Sequence, residues 1–152
     1  MIVRHAAYEL DDDAARVDGD AVWAYLSTEA YWGRQRRRAD VDAQLAGAWR
    51  VVGAYDGAGA TVGFARAVSD GVAFAYLADV YVLAAARGTG LGTALVRFMV
   101  DGGPGRGFRW TLFTADAHGL YARLGFGPAD ATAMVRLAGP PPLDATNGTF
   151  VQ

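Results

Sequence analysis

Six residues, Arg87-Gly88-Thr89-Gly90-Leu91-Gly92, stand where the hydropathy pattern changes period. Before them, Val72–Val82 is almost continuously apolar. After them, Leu91, Ala94, Leu95, Phe98 and Met99 fall at i, i+3, i+4, i+7 and i+8, a helical face. A glycine-rich turn that feeds a helix leaves several backbone N–H groups without intrahelical acceptors, at the positive end of the helix dipole. Such a turn can hold a phosphate, and glycines let the backbone come close to it. Arg87 can add a charged contact. A P-loop is excluded, because Lys-Ser/Thr should follow the last glycine and Thr93-Ala94 stands there. A dinucleotide fingerprint is excluded as well. The spacing is G-x-G-x-G, and no early βαβ unit precedes it. A helix start with glycines for tight packing is the remaining plain alternative.

Other side chains with chemical capacity are scattered. Asp79 is a lone carboxylate within the apolar run. His118 lies three residues before Tyr121, so on a helix the two share a face. Tyr31 and Trp32 are adjacent and precede four arginines within Arg34–Arg38. There is no cysteine, which removes disulfides, thiolate metal sites and thiol nucleophiles together. The two histidines, His5 and His118, have no metal-ligand spacing, so no metal is expected.

The elements that must position these residues can be read from period and punctuation. A first strand fits Ala7–Asp11. Asp18 and Asp20 offer N-caps for a helix through Val22, Trp23 and Leu26. A second helix fits Asp40 to about Trp49. Arg50–Tyr55 is a strand followed by the hairpin signal Asp56-Gly57, Thr61–Val68 is the next, and Ser69-Asp70-Gly71 turns the chain into Val72–Val82. The helix from Gly90 stops at Gly102-Gly103-Pro104. Arg109–Phe113 reads as a strand, Asp116–Leu124 as a short helix and Met134–Leu137 as a last strand. The order β-α-α-β-β-β-α-β-α-β predicts an α/β fold with a mostly antiparallel meander flanked by helices.

Composition bounds the rest. The chain has 152 residues, 53% hydrophobic and 20% charged, enough for one real core. The net charge of −2 and the lack of a basic face argue against nucleic acid as a partner, even with Arg34–Arg38 clustered. No apolar run reaches the ~18 residues of a membrane span, and no signal-peptide pattern opens the chain. The expectation is a soluble cytoplasmic protein that uses no membrane. Self-association into a homodimer is left open.

Three segments together resemble the GCN5-related N-acetyltransferase (GNAT) superfamily. Arg87, Gly90 and Gly92 match its Q/R-x-x-G-x-G/A pyrophosphate loop. Leu77-Ala78-Asp79-Val80-Tyr81-Val82 is similar to its central strand. Ala117-His118-Gly119-Leu120-Tyr121-Ala122-Arg123-Leu124-Gly125-Phe126 is similar to its A-x-x-L-Y-x-x-x-G-F segment. The resemblance covers about residues 50–127.

It implies a GNAT-like fold, a single acetyltransferase domain over residues 1–138 and a Pro-rich tail over 139–152. It also implies acetyl-CoA as cosubstrate and a primary amine of a small molecule or peptide as acceptor. The pantetheine arm would run beside Val80, Tyr81 and Val82, whose backbone would also meet the developing oxyanion. The diphosphate would sit on Arg87, Gly88, Thr89, Gly90, Leu91, Gly92 and Thr93. Tyr121 would protonate the departing thiolate. Some relatives carry Glu beside the central-strand Asp, where this chain has Ala78. Asp79 would then be the base or an anchor for the ammonium, or a hydrogen-bonded structural Asp. His118 could relay protons. Glu29, Tyr31, Trp32 and Arg34 would face the acceptor, and the other arginines would meet CoA or solvent. A non-catalytic acyl-CoA-binding module is the alternative. It would keep the turn but not need Tyr121.

Overall fold

The computed structural model of the chain describes residues 1–136. Six strands form one sheet in chain order: β1 (Ile2–His5), β2 (Tyr8–Asp11), β3 (Arg50–Tyr55), β4 (Thr61–Ser69), β5 (Phe74–Val82) and β6 (Arg109–Thr111). All neighbours pair antiparallel except β5 and β6, which are parallel. The helices are α1 (Gly19–Thr28), α2 (Arg38–Ala46), α3 (Leu91–Asp101) and α4 (His118–Ala122).

Each helix follows from local chemistry. The Asp18 carboxylate accepts hydrogen bonds from the backbone N–H groups of Asp20 and Ala21 at 2.9 and 3.0 Å and starts α1. Val22, Tyr25 and Leu26 form its buried face. They meet Val41 of α2 and Val51, Phe64 and Tyr81 of the sheet in one apolar cluster. A larger cluster places Leu91, Leu95, Val96, Phe98 and Met99 of α3 with Val52, Ala54, Ala65, Ala67 and Leu77. Parallel pairing of β5 and β6 requires a crossover between them, and α3 supplies it.

Several boundaries differ from the sequence expectation. The first strand is β2, and β1 precedes it as a hairpin partner. Its turn places Ala6 at φ 51°, a left-handed position with none of the usual Gly or Asn punctuation. Helix α2 ends at Ala46 rather than near Trp49. Gly47 caps it, and the Trp49 N–H already donates to the Ala67 carbonyl of β4 at 3.0 Å. Strand β6 stops at Thr111 because its pairing with β5 covers only Phe74–Tyr76. Helix α4 is five residues long, shorter than Asp116–Leu124. Met134–Arg136 form no strand. Leu137 and the tail 139–152 lie outside the described residues. Among the described residues, no helix is long and apolar enough to cross a membrane.

Candidate active site

Beyond Tyr76 the sheet forks. β6 leaves, and among the described residues no strand pairs with the outer edge of β5 from Leu77 to Val82. The Leu83 N–H donates to the Val62 carbonyl of β4 at 2.8 Å, and Phe64 pairs with Tyr81. Strand alternation then turns the peptide groups of Val82 and Val80 to the forked edge and those of Tyr81 to β4. Tyr81 therefore belongs to the core rather than to a ligand groove. Its ring stacks on Tyr25 at 3.9 Å, and burial raises its phenol above the ordinary tyrosine range.

The Gly88–Thr93 turn begins at the end of this edge. Gly88 and Gly90 take φ values of 77° and 81°, conformations that glycine adopts without strain. The N–H groups of Gly88 through Thr93 have no acceptor among the described residues. They surround the N-terminus of α3, an arrangement suited to an anion. The Leu91 side chain lies in the core, so only its N–H is available there. Arg87 is partly committed inward. Its Nε donates to the Val82 carbonyl at 2.9 Å and its Nη2 to the Tyr25 hydroxyl at 3.2 Å. It thereby fixes the turn against the end of β5.

A cleft of about 380 Å³ occupies the fork. Tyr31, Trp32, Asp79, Val80 and Tyr121 line it together. Glu29, Arg34 and His118 do not line it and are exposed. Tyr121 is nearly buried, and its hydroxyl has no hydrogen-bond partner among the described residues. Burial first, and then the charges of Tyr31 and Asp116, push its phenol up to about 12. The group holds its proton throughout the neutral range.

Asp79 sits in a bulge where two residues of β5, Asp79 and Val80, face one of β4, Ala65, and it takes φ 53°. That left-handed conformation is costly for a residue with a side chain and persists only where the surroundings impose it. They do so through charge. Arg66 donates from Nε to Asp79 Oδ2 at 2.8 Å, and Arg36 donates from Nη1 to Oδ1 at 2.7 Å. Both carboxylate oxygens are engaged, the arrangement of a hydrogen-bonded structural Asp. The arginine run separates into individual roles. Arg37 pairs with Asp40, Arg38 with Asp20 and Asp42, and Arg36 with Asp79. Arg34 has no ion pair among the described residues.

Arg36, Tyr76, Phe113 and Asp116 also line the cleft, and sequence reasoning did not single them out. Arg36 was hidden in a run of like residues. The other three become neighbours only because β6 diverges from β5. Loop geometry completes the wall. The Tyr31 hydroxyl accepts from the Ala115 N–H at 2.9 Å, tying the α1–α2 connection to the segment after β6. Gly33 permits the return of that connection, since a Cβ there would lie 2.3 Å from the Leu26 carbonyl oxygen.

The acetyltransferase (GNAT) family model matches residues 8–126. The chain belongs to the GNAT acetyltransferase family. Solved structures agree with this. A GNAT-family protein from Xanthomonas campestris pv. campestris is 34% identical, with 86% of this chain and 93% of that one covered and a TM-score of 0.79. A protein from Deinococcus radiodurans R1, assigned as an acetyltransferase, is 26% identical over 90% and 94% of the two chains, at a TM-score of 0.67. Glucosamine-6-phosphate N-acetyltransferase from Arabidopsis thaliana shares the fold at 12% identity, 88% and 97% coverage and a TM-score of 0.62. A comparison with curated proteins finds no match. This GNAT protein is an acyl-CoA-dependent N-acetyltransferase with the mixed, mostly antiparallel sheet of its family.

Proposed function

We propose that this acetyltransferase moves acetyl from acetyl-CoA to the primary amine of a small molecule or peptide by direct attack, with Tyr121 as general acid. The observation that carries the reading is Tyr121, which lines the fork beside the outer edge of β5 and whose hydroxyl has no hydrogen-bond partner among the described residues. In this reading the N–H groups of Gly88–Thr93 hold the diphosphate. The outward peptide groups of Val80 and Val82 hold the extended amide arm. The Leu91 and Tyr81 side chains serve the core. The amine nitrogen bonds to the thioester carbon as the carbon–sulfur bond breaks. Tyr121 gives its proton to the departing sulfur, and the proton lost by nitrogen leaves through water at the cleft mouth. Asp79 positions the site through Arg36 and Arg66, which engage both of its oxygens.

The charge balance of the cleft floor limits the acceptor. Arg36 and Arg66 are balanced by Asp79 and Asp116, so the cleft carries no net charge, and the Arg36 guanidinium opposes a second cation placed beside it. A monoamine, an amino acid or a peptide N-terminus is compatible with that arrangement. The reading retains the cytoplasmic location, a single domain over residues 1–138 and chemistry without a metal.

Steady-state kinetics of Tyr121→Phe tests the acid. General acids contribute roughly 10²–10⁴-fold. A phenol raised to about 12 gives its proton less readily than an ordinary tyrosine, so a loss of kcat near about 10² is expected, with little change in KM for acetyl-CoA. The acid form is the active one, and it is lost only as pH rises toward 12. No alkaline decline due to Tyr121 should therefore appear between pH 7 and about 10. An unchanged kcat with rate-limiting chemistry would return Tyr121 to a packing role.

A further inference from the structure

We infer that the acceptor amine carries an aromatic ring, seated among Tyr31, Trp32, Tyr76 and Phe113 with its nitrogen facing Asp116. This rests on the acetyl-transfer reading above and narrows its acceptor. The first support is where the chain leaves aromatic surface uncovered. Phe113 is 68% exposed, Tyr31 50% and Trp32 36%, and all three converge on the one cleft. Single exposed apolar residues need no explanation, whereas a contiguous group rimmed by polar residues marks a binding surface. These side chains come from two separate parts of the chain, the α1–α2 connection and the segment after β6.

Their geometry suits a flat guest. Tyr31 and Trp32 meet edge-to-face, with centroids 4.9 Å apart and planes at 84°. Tyr76 and Phe113 form a second, tilted pair at 5.9 Å and 57°. An added ring can continue both arrangements, because aromatic groups favour offset or edge contacts at such separations. A cleft of about 380 Å³ is at the small end for ligand sites and admits a ring on a short arm.

The polar groups orient that guest. The Asp116 carboxylate lines the cleft and has no hydrogen-bond or ion-pair partner among the described residues. It lines the same cleft as Tyr121 and lies two residues before α4, the helix that carries Tyr121. It can attract an ammonium group before deprotonation, a role that the doubly paired Asp79 cannot take. Arg36 has Nε and Nη2 without partners among the described residues and is partly open to the cleft, which favours a carboxylate or carbonyl on the guest and opposes a second cation.

The test is kcat/KM for matched amines with the full chain: phenethylamine against butylamine, and phenylalanine amide against leucine amide. Phenylalanine is added to read the effect of a carboxylate. At least a tenfold advantage for the aromatic member of each pair is expected. Phe113→Ala, at an exposed position that the fold does not need, should move that ratio toward one. Asp116→Asn should raise KM for every amine while leaving acetyl-CoA affinity, read by calorimetry, in place. Equal kcat/KM within pairs, or a ratio untouched by Phe113→Ala, would overturn the aromatic acceptor while acetyl transfer itself stands. Turnover of none of these amines would likewise overturn the aromatic acceptor.

Discussion

Asp79 accepts hydrogen bonds from arginines that lie 13 and 43 residues away in sequence. A buried carboxylate must find such partners, because the cost of desolvating a charge is large. Its position in an apolar run was readable from the sequence, and so was the need for a partner. The partners themselves were not, since Arg66 faces it only across a bulge and Arg36 reaches it from a loop. The same holds for Tyr121 and Asp116. The L-Y-x-x-x-G-F context pointed to Tyr121, but nothing local distinguishes Asp116 from any loop carboxylate. Asp79→Asn separates the structural role from a catalytic base. It leaves two guanidinium groups without their anion, and breaking a buried pair costs about 3–5 kcal/mol. Solvent reaches Arg36, so a loss near about 3 kcal/mol in urea unfolding is the expected outcome. An Asn variant of unaltered stability but no activity would favour the base.

Most elements followed from period and punctuation, because amphipathic helices and Gly-bounded strands write their own boundaries. The exceptions are instructive. Strand β1 lies at the sheet edge with Ile2 and Val3 exposed, so it lacks the burial alternation that marks a strand. The length of β6 depends on where a neighbouring strand departs, which is a tertiary fact. The Gly88–Thr93 turn was legible as a glycine-bounded helix start with open backbone N–H groups, because that feature is carried by the backbone. Gly90→Val tests it. Valine at φ 81° is strained by roughly 1–2 kcal/mol, and a Cβ there would lie 3.3 Å from His5 Nε2. Gly59 has the same φ of 81° in the β3–β4 hairpin and open space around it. Both valine variants should melt earlier than the parent. Only the Gly90 variant should lose acetyl-CoA affinity, by at least about tenfold, as measured by calorimetry.

Among the described residues, five strands follow one another as antiparallel neighbours, and the sixth arrives only after α3. The order of periods and motifs in the sequence supplied this topology. The cleft had no sequence signature, because its walls are the two flanks of the fork rather than any single segment. The unequal strength of those flanks has a dynamic consequence. β5 is locked to β4 along nearly its whole length, whereas β6 offers three paired residues and α4 a single short turn of helix. Segments with few backbone bonds open locally at a small fraction of the global unfolding free energy. Amide hydrogen exchange should therefore be fast in residues 109–122 and slow in 62–82, with protection of the fast segment rising when the fork is filled. On that pattern the side of the enzyme that carries Tyr121 is the one expected to breathe. An acceptor has a way in, and a product a way out, that does not require the meander to move.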